Sequence, residues 1–129
     1  MSSAGIHNLL CDQGATFRKT LTMFASDGTT AIDLSGFTAR MKIKDEVGGT
    51  LIKSLTSSSG GGLTIGGASG QTTNGEIDIL ISASDTASFS APLDAVYDLE
   101  IVSGSKYPVV TRVLEGKIRL SKEVTTGNY

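Results

Sequence analysis

Phe37-Thr38-Ala39-Arg40-Met41-Lys42-Ile43-Lys44 alternates without a break: Phe37, Ala39, Met41 and Ile43 are opposed to Thr38, Arg40, Lys42 and Lys44. A period of two marks a strand with one face against a core and the other in water. The same period recurs on both sides. Over 15–26, Phe17, Leu21 and Met23 share a face, and Lys19 interrupts it, as expected near the edge of a sheet. Asp27-Gly28 supplies a tight turn, after which 31–34 returns as a short strand.

Val47-Gly48-Gly49 turns the chain into a strand over 50–55. Beyond a second turn signal at Asn74-Gly75, Ile77, Ile79 and Ile81 form a core face. The run 82–89 offers capping residues and a short helix-tolerant piece. It is expected to make a helical turn over 83–89 that crosses between sheets, with Phe89 as its plug. Tyr97, Leu99 and Ile101 share one face of a strand over 95–102, and 109–120 makes the last strand. Gly116 predicts a bulge or bend there.

About eight strands separated by turns predict an all-β chain, a single two-sheet antiparallel sandwich of immunoglobulin-like type. Its 129 residues suit one domain. The termini, 1–6 and 122–129, carry no core pattern and read as flexible. The segment 56–75 is rich in Ser, Gly and Thr around Leu63-Thr64-Ile65, and reads as a mobile excursion around one short strand. That strand is expected to pair with a sheet edge of its own chain or of a neighbour, adding little to the monomer's fold.

Composition narrows the chemistry. Eleven basic and thirteen acidic side chains give a net charge of −2, with the basic ones dispersed, which argues against nucleic acid as a partner. No apolar run approaches the roughly 18 residues that cross a bilayer, and the N-terminal residues lack a secretion-signal pattern. The single cysteine, Cys11, offers neither a zinc set nor a redox pair and suits folding in a reducing cytoplasm. It reads as a packed or interface thiol, with an intersubunit disulfide as the sharper alternative.

Candidate reactive groups have simpler readings. The only histidine, His7, has no G-x-S-x-G elbow with it and reads as a strand-edge residue. Asp45-Glu46, and Asp98 with Glu100, read as solvated acids, and Asp27 and Asp85 as turn and cap residues. The glycines at 60–70 lack the Lys of a phosphate loop and no helix pattern follows them. The expectation is therefore no catalytic residue, no cofactor and no metal. A second reading, a small ligand- or carbohydrate-binding module, requires Tyr97, Tyr107 and Tyr129 to supply stacking surfaces.

Several runs carry a resemblance: Gln13-Gly14-Ala15-Thr16-Phe17, Asp27-Gly28-Thr29, the stretch from Ile32 to Ile43, Ile81-Ser82-Ala83-Ser84-Asp85-Thr86-Ala87, Tyr97-Asp98-Leu99-Glu100-Ile101, and Thr111 to Ile118. Together they resemble small virion proteins of tailed bacteriophages, and the N-terminal β-sandwich domain of phage baseplate upper proteins. The resemblance implies a neck, collar, tail or baseplate component that binds portal, tail or fibre proteins and copies of itself. Such a protein is made and assembled in the bacterial host cytoplasm. Leu9, Leu10, Cys11, Leu63, Thr64, Ile65 and Tyr129 are the candidate subunit contacts, on apolar runs and at the polar C-terminal end.

Overall fold

A computed structural model describes residues 5–24, 28–67, 70–104 and 109–122. The alternating stretch at 37–44 forms a strand, and it is flanked on both sides. Among the described residues there are nine strands: β1 (Gly5–Ile6), β2 (Leu9–Asp12), β3 (Phe17–Thr22), β4 (Phe37–Lys44), β5 (Leu51–Thr56), β6 (Leu63–Ile65), β7 (Glu76–Ile81), β8 (Leu93–Ser103) and β9 (Val110–Ser121). One helix, α1 (Ala83–Ala87), lies between β7 and β8.

The strands form two sheets, so the chain is an all-β two-sheet sandwich. The larger runs β1-β9-β8-β4-β5, with β2 also on β9, and the smaller runs β3-β7-β6. Apolar side chains on the inner faces meet between them. Ala39, Met41 and Ile43 of β4, Leu99 of β8, Ile118 and Leu120 of β9 and Ile77, Ile79 and Ile81 of β7 are all buried. Burial of this kind, at about 25 cal/mol per Å² of apolar surface, is what holds such a sandwich closed. Leucine and isoleucine supply twelve of the nineteen buried apolar residues among those described.

At one end α1 carries the chain from the small sheet to the large one. Ser82 caps it by accepting from the Asp85 N–H, and Phe89 follows as a buried plug. Thr86, fully buried, ties this crossing to the β2–β3 turn. Its hydroxyl donates to the Ala15 carbonyl at 2.8 Å and accepts from the Gly14 N–H at 3.1 Å. The Gln13 side-chain amide donates to the Phe89 carbonyl at 2.9 Å.

Four features depart from the sequence reading. The first is the N-terminus. From Gly5 onward it is part of the fold, since β1 and β2 lie parallel to β9 in one unbroken register, Ile6 opposite Glu115 and Leu9 opposite Ile118. Strands of two and four residues are too short to show a period, so only the edge of β9 makes them visible. These parallel pairs also break the expected all-antiparallel pattern. Residues 1–4 and 123–129 lie outside the described residues.

Secondly, 31–34 makes only an isolated bridge, Ala31 to Phe24, though Leu34 is buried. The chain does turn back there, with the Ile32 N–H donating to the Met23 carbonyl, but Asp27 lies outside the described residues. Thirdly, the bulge in β9 falls at Val113, because Leu99 faces Leu114 while Glu100 faces Arg112. Gly116 stays in register opposite Tyr97 and serves a different purpose. A Cβ there would run into the His7 carbonyl oxygen, so glycine lets β9 accept the N-terminal arm.

The fourth departure is the 56–75 excursion, which is woven into the monomer. Leu63 is buried in the core, and β6 pairs with β7 of the same chain. The Thr56 N–H donates to Gly61, Leu80 to Gly62, Gly66 to Glu76 and Leu34 to Thr72. Asn74-Gly75 ends a 3-10 turn, Thr72–Asn74, instead of forming a two-residue hairpin. Composition suggested an appendage because glycine has no side chain to bury. Here its value is close backbone approach, as at Gly62, where φ is +96° and a Cβ would lie 2.9 Å from the Leu80 carbonyl oxygen.

Candidate interaction surfaces

The outer face of the large sheet is set by register. Arg40, Glu100 and Arg112 form one cross-strand row, Lys42, Asp98 and Glu115 a second, and Lys44, Val96 and Lys117 a third. The acids are engaged: Glu100 by Arg40 at 2.8 Å, Asp98 and Glu115 both by Arg112 at 3.5 and 3.4 Å, and Asp94 by Arg119 at 2.9 Å. Asp98 and Glu100 thus sit in ion pairs on a solvated sheet. These pairs are exposed, so each contributes little to stability, typically below about 1 kcal/mol. The face is a wide groove of about 870 Å³, walled by Ile6 and Asn8 on one side and by Val47 and Gly48 on the other.

Asp45 receives the Thr50 N–H at 2.7 Å, which orders the β4–β5 turn. On the outer face of the small sheet, Asp78 accepts from Thr20 and from Arg18, the latter at 3.4 Å. Asp33 is held below the usual carboxylate range by hydrogen bonds from Ser35. Asp85 is lowered in the same way by Lys53, which donates to it at 2.8 Å. Among the described residues no group of three or more His, Cys, Asp and Glu is arranged to hold a metal.

Cys11 is fully buried, and burial, with Asp12 beside it, pushes its thiol up to about 11. It is therefore a protonated core group, screened from any second chain, and the packed-thiol reading is the one its position supports. Tyr97 is buried too, its hydroxyl raised to about 12 by burial and donating to the His7 carbonyl. A ring enclosed in this way cannot stack on a ligand, which removes Tyr97 from the carbohydrate-binding reading. Tyr107 and Tyr129 lie outside the described residues.

The candidate contacts divide sharply. Leu9, Cys11 and Leu63 are in the chain's own core, Ile65 packs against it, and Thr64 is exposed on β6. Leu10 is 61% exposed and Ile6 80%, both on the outward face of the arm formed by β1 and β2. Beside that arm, between β2 and β3, runs a groove of about 300 Å³ lined by residues including Leu10, Phe17 and Lys19. Ile6 was absent from the sequence-derived contacts, because one isoleucine without periodic neighbours carries no signal.

The four sheet edges are unequal, which no sequence feature announced in full. On β3, Lys19 occupies the inward-facing position between Phe17 and Leu21. On β5, Ile52 is a bulge residue and Lys53 reaches back to Asp85. The free edge of β6 is three residues long. Charges, bulges and brevity are how edges resist adding a strand. The arm is short too, two residues in β1 and four in β2 with Asp12 at its end, but its inward positions are the apolar Leu9 and Cys11. No protein family matches this chain, and no curated protein matches it either.

Proposed function

We propose that this protein is a non-enzymatic structural adaptor of a tailed-phage particle, binding neighbouring subunits in the neck, collar, tail or baseplate. The observation that carries the reading is the arm: a strand edge with exposed Leu10 and Ile6, on a sandwich whose cysteine and Tyr97 are spent in the core and whose sheet-face acids are spent in ion pairs. Apolar side chains beside unpaired main-chain groups suit attachment to another polypeptide. The strand-and-turn resemblance given above supports the particle setting.

Mass spectrometry of purified particles from a strain carrying the gene tests this reading. The chain is expected at a fixed ratio to the portal and tail proteins, and Leu10→Lys is expected to lower that ratio. Absence of the chain from the particles would reject the proposal.

A further inference from the structure

We propose that the outer face of the large sheet binds an acidic, extended segment of a partner polypeptide, laid across the strands over Lys42, Lys44 and Lys117. The inference deepens the adaptor reading by naming the chemistry of one partner, and rests on that reading only for its setting in a particle. It begins with a balance of charge. Five basic and three acidic side chains occupy the three cross-strand rows, leaving a net +2 on a chain whose net charge is −2. Arg40 and Arg112 engage all three of those acids. Among the described residues Lys42, Lys44 and Lys117 have no ion pair, so the surplus positive charge of the face is theirs.

The third row sets the direction of the segment. Lys44 and Lys117 flank Val96, and Asn8 continues the row, its side-chain oxygen accepting from the Lys117 N–H. Neighbouring strands lie about 4.8 Å apart, so the two lysines are rooted about 10 Å from each other. The position between them is valine, so no acid of the sheet stands there to neutralise them. At the two sides of the groove are Ile6 of β1 and Val47 of the β4–β5 turn. They are 80% and 90% exposed, the most exposed large apolar side chains among the described residues. Three strand spacings, about 14 Å, separate β1 from β4, the reach of about four or five extended residues. Cations between two apolar walls match a segment with carboxylates in its middle and an apolar residue at each end. Nucleic acid fits less well, because Tyr97, the one aromatic side chain lining the groove, is buried and the walls are aliphatic, which leaves no platform for a base.

Fluorescence anisotropy of a labelled peptide, four glutamates between two leucines, titrated with the full chain at low salt tests the site. The native chain is expected to bind it with a Kd between roughly 10 µM and 1 mM, and to lose most of that binding at about 0.3 M salt, where exposed charges are screened. Lys44→Glu combined with Lys117→Glu is expected to weaken binding at least about tenfold, and Lys44→Gln with Lys117→Gln, the milder pair should the first fail to fold, about threefold. Lys19→Glu, the same change of charge on the small sheet, is expected to alter it by less than about twofold. Serines in place of the two leucines are expected to weaken the peptide at least about threefold, through loss of the apolar ends. No binding at about 1 mM, binding indifferent to salt, or an equal loss in Lys19→Glu overturns the site, as does tighter binding of a thymidine hexanucleotide than of the peptide. If the peptide binds as expected while the chain is absent from particles, the site stands and the adaptor reading is what fails. If the chain is in particles and the peptide does not bind, the site is what fails.

Discussion

The two long sides of this sandwich are closed in opposite ways. On one, β5 passes into β6 through a glycine-rich segment whose backbone bonds to both sheets: Gly62 bridges to Thr56 and its carbonyl accepts from Leu80. On the other, the arm's strand ladder joins it to β9 of its own sheet, and the ties beyond that ladder are side-chain contacts: Thr86 and Gln13 at one end, Tyr97 on the His7 carbonyl, and Asn8, whose side-chain oxygen accepts from the Lys117 N–H at 3.0 Å. The first side is sealed with main chain, and its edge strands are β5, bulged at Ile52, and the three-residue β6. The second leaves a groove and an unpaired edge. Glycine is what separates them, because only backbone without side chains can close a seam this tightly.

The largest test of that contrast is to cut the sealed side. Replacing 57–73 by a short Gly-Ser turn removes β6 and the buried Leu63, and is expected to lower stability by more than about 4 kcal/mol, with a large fall in Tm on thermal unfolding. An unchanged Tm would mean that the excursion is an appendage after all. Gly62→Ala sharpens the point at one residue. The new Cβ meets Leu55 at 2.7 Å and the Leu80 carbonyl at 2.9 Å in a left-handed backbone, and should cost about 2–3 kcal/mol in urea denaturation.

Point contacts on the arm side predict smaller losses. Tyr97→Phe removes the donor to the His7 carbonyl and is expected to cost about 1 kcal/mol in the same urea assay. Alkaline pH probes the same region. Cys11 and Tyr97 have folded pKa values above their unfolded ones, from 9.0 to about 11 and from 10.0 to about 12. For acids raised in this way, stability is whole below the unfolded value and is lost as pH climbs through the folded one. The Tm should therefore decline from pH 9 upward, and a Cys11→Ala chain should begin its decline only near pH 10. If the two profiles coincide, the thiol is not buried as described.

The smallest effect expected is that of Leu10→Lys on the monomer, within about 0.5 kcal/mol at low concentration, because the side chain is largely in water. Its effect belongs to association. Together these results would rank the sides: expensive to alter where glycine seals, cheap where the arm lies open.

How far this was readable beforehand depended on length. The runs at β4 and β7 are long enough for the period of two to be unambiguous, and α1 with its Phe89 plug followed from capping residues and a lone aromatic. Lys19 on an apolar face correctly pointed to a sheet edge. The arm was not readable, since two- and four-residue strands have no period and their pairing with β9 joins residues over a hundred positions apart. The open edge, and with it Ile6, was hidden for the same reason. Among the proposed contacts, Leu9 and Leu10 are adjacent in sequence yet fall on opposite faces, one buried and one exposed, which only a fixed register can decide.

By itself the sequence determined the class: alternating aliphatics and frequent turn residues spell out a two-sheet sandwich core. Local chemistry sufficed there, because each strand's inward face is written in its own residues. Tertiary structure alone decided which glycines seal a seam, why position 116 must be glycine, and which of four edges stays open. Those properties arise from the approach of segments far apart in the chain, here the His7 carbonyl against Gly116 and Gly62 against Leu80, and such approaches leave no periodic trace in either segment.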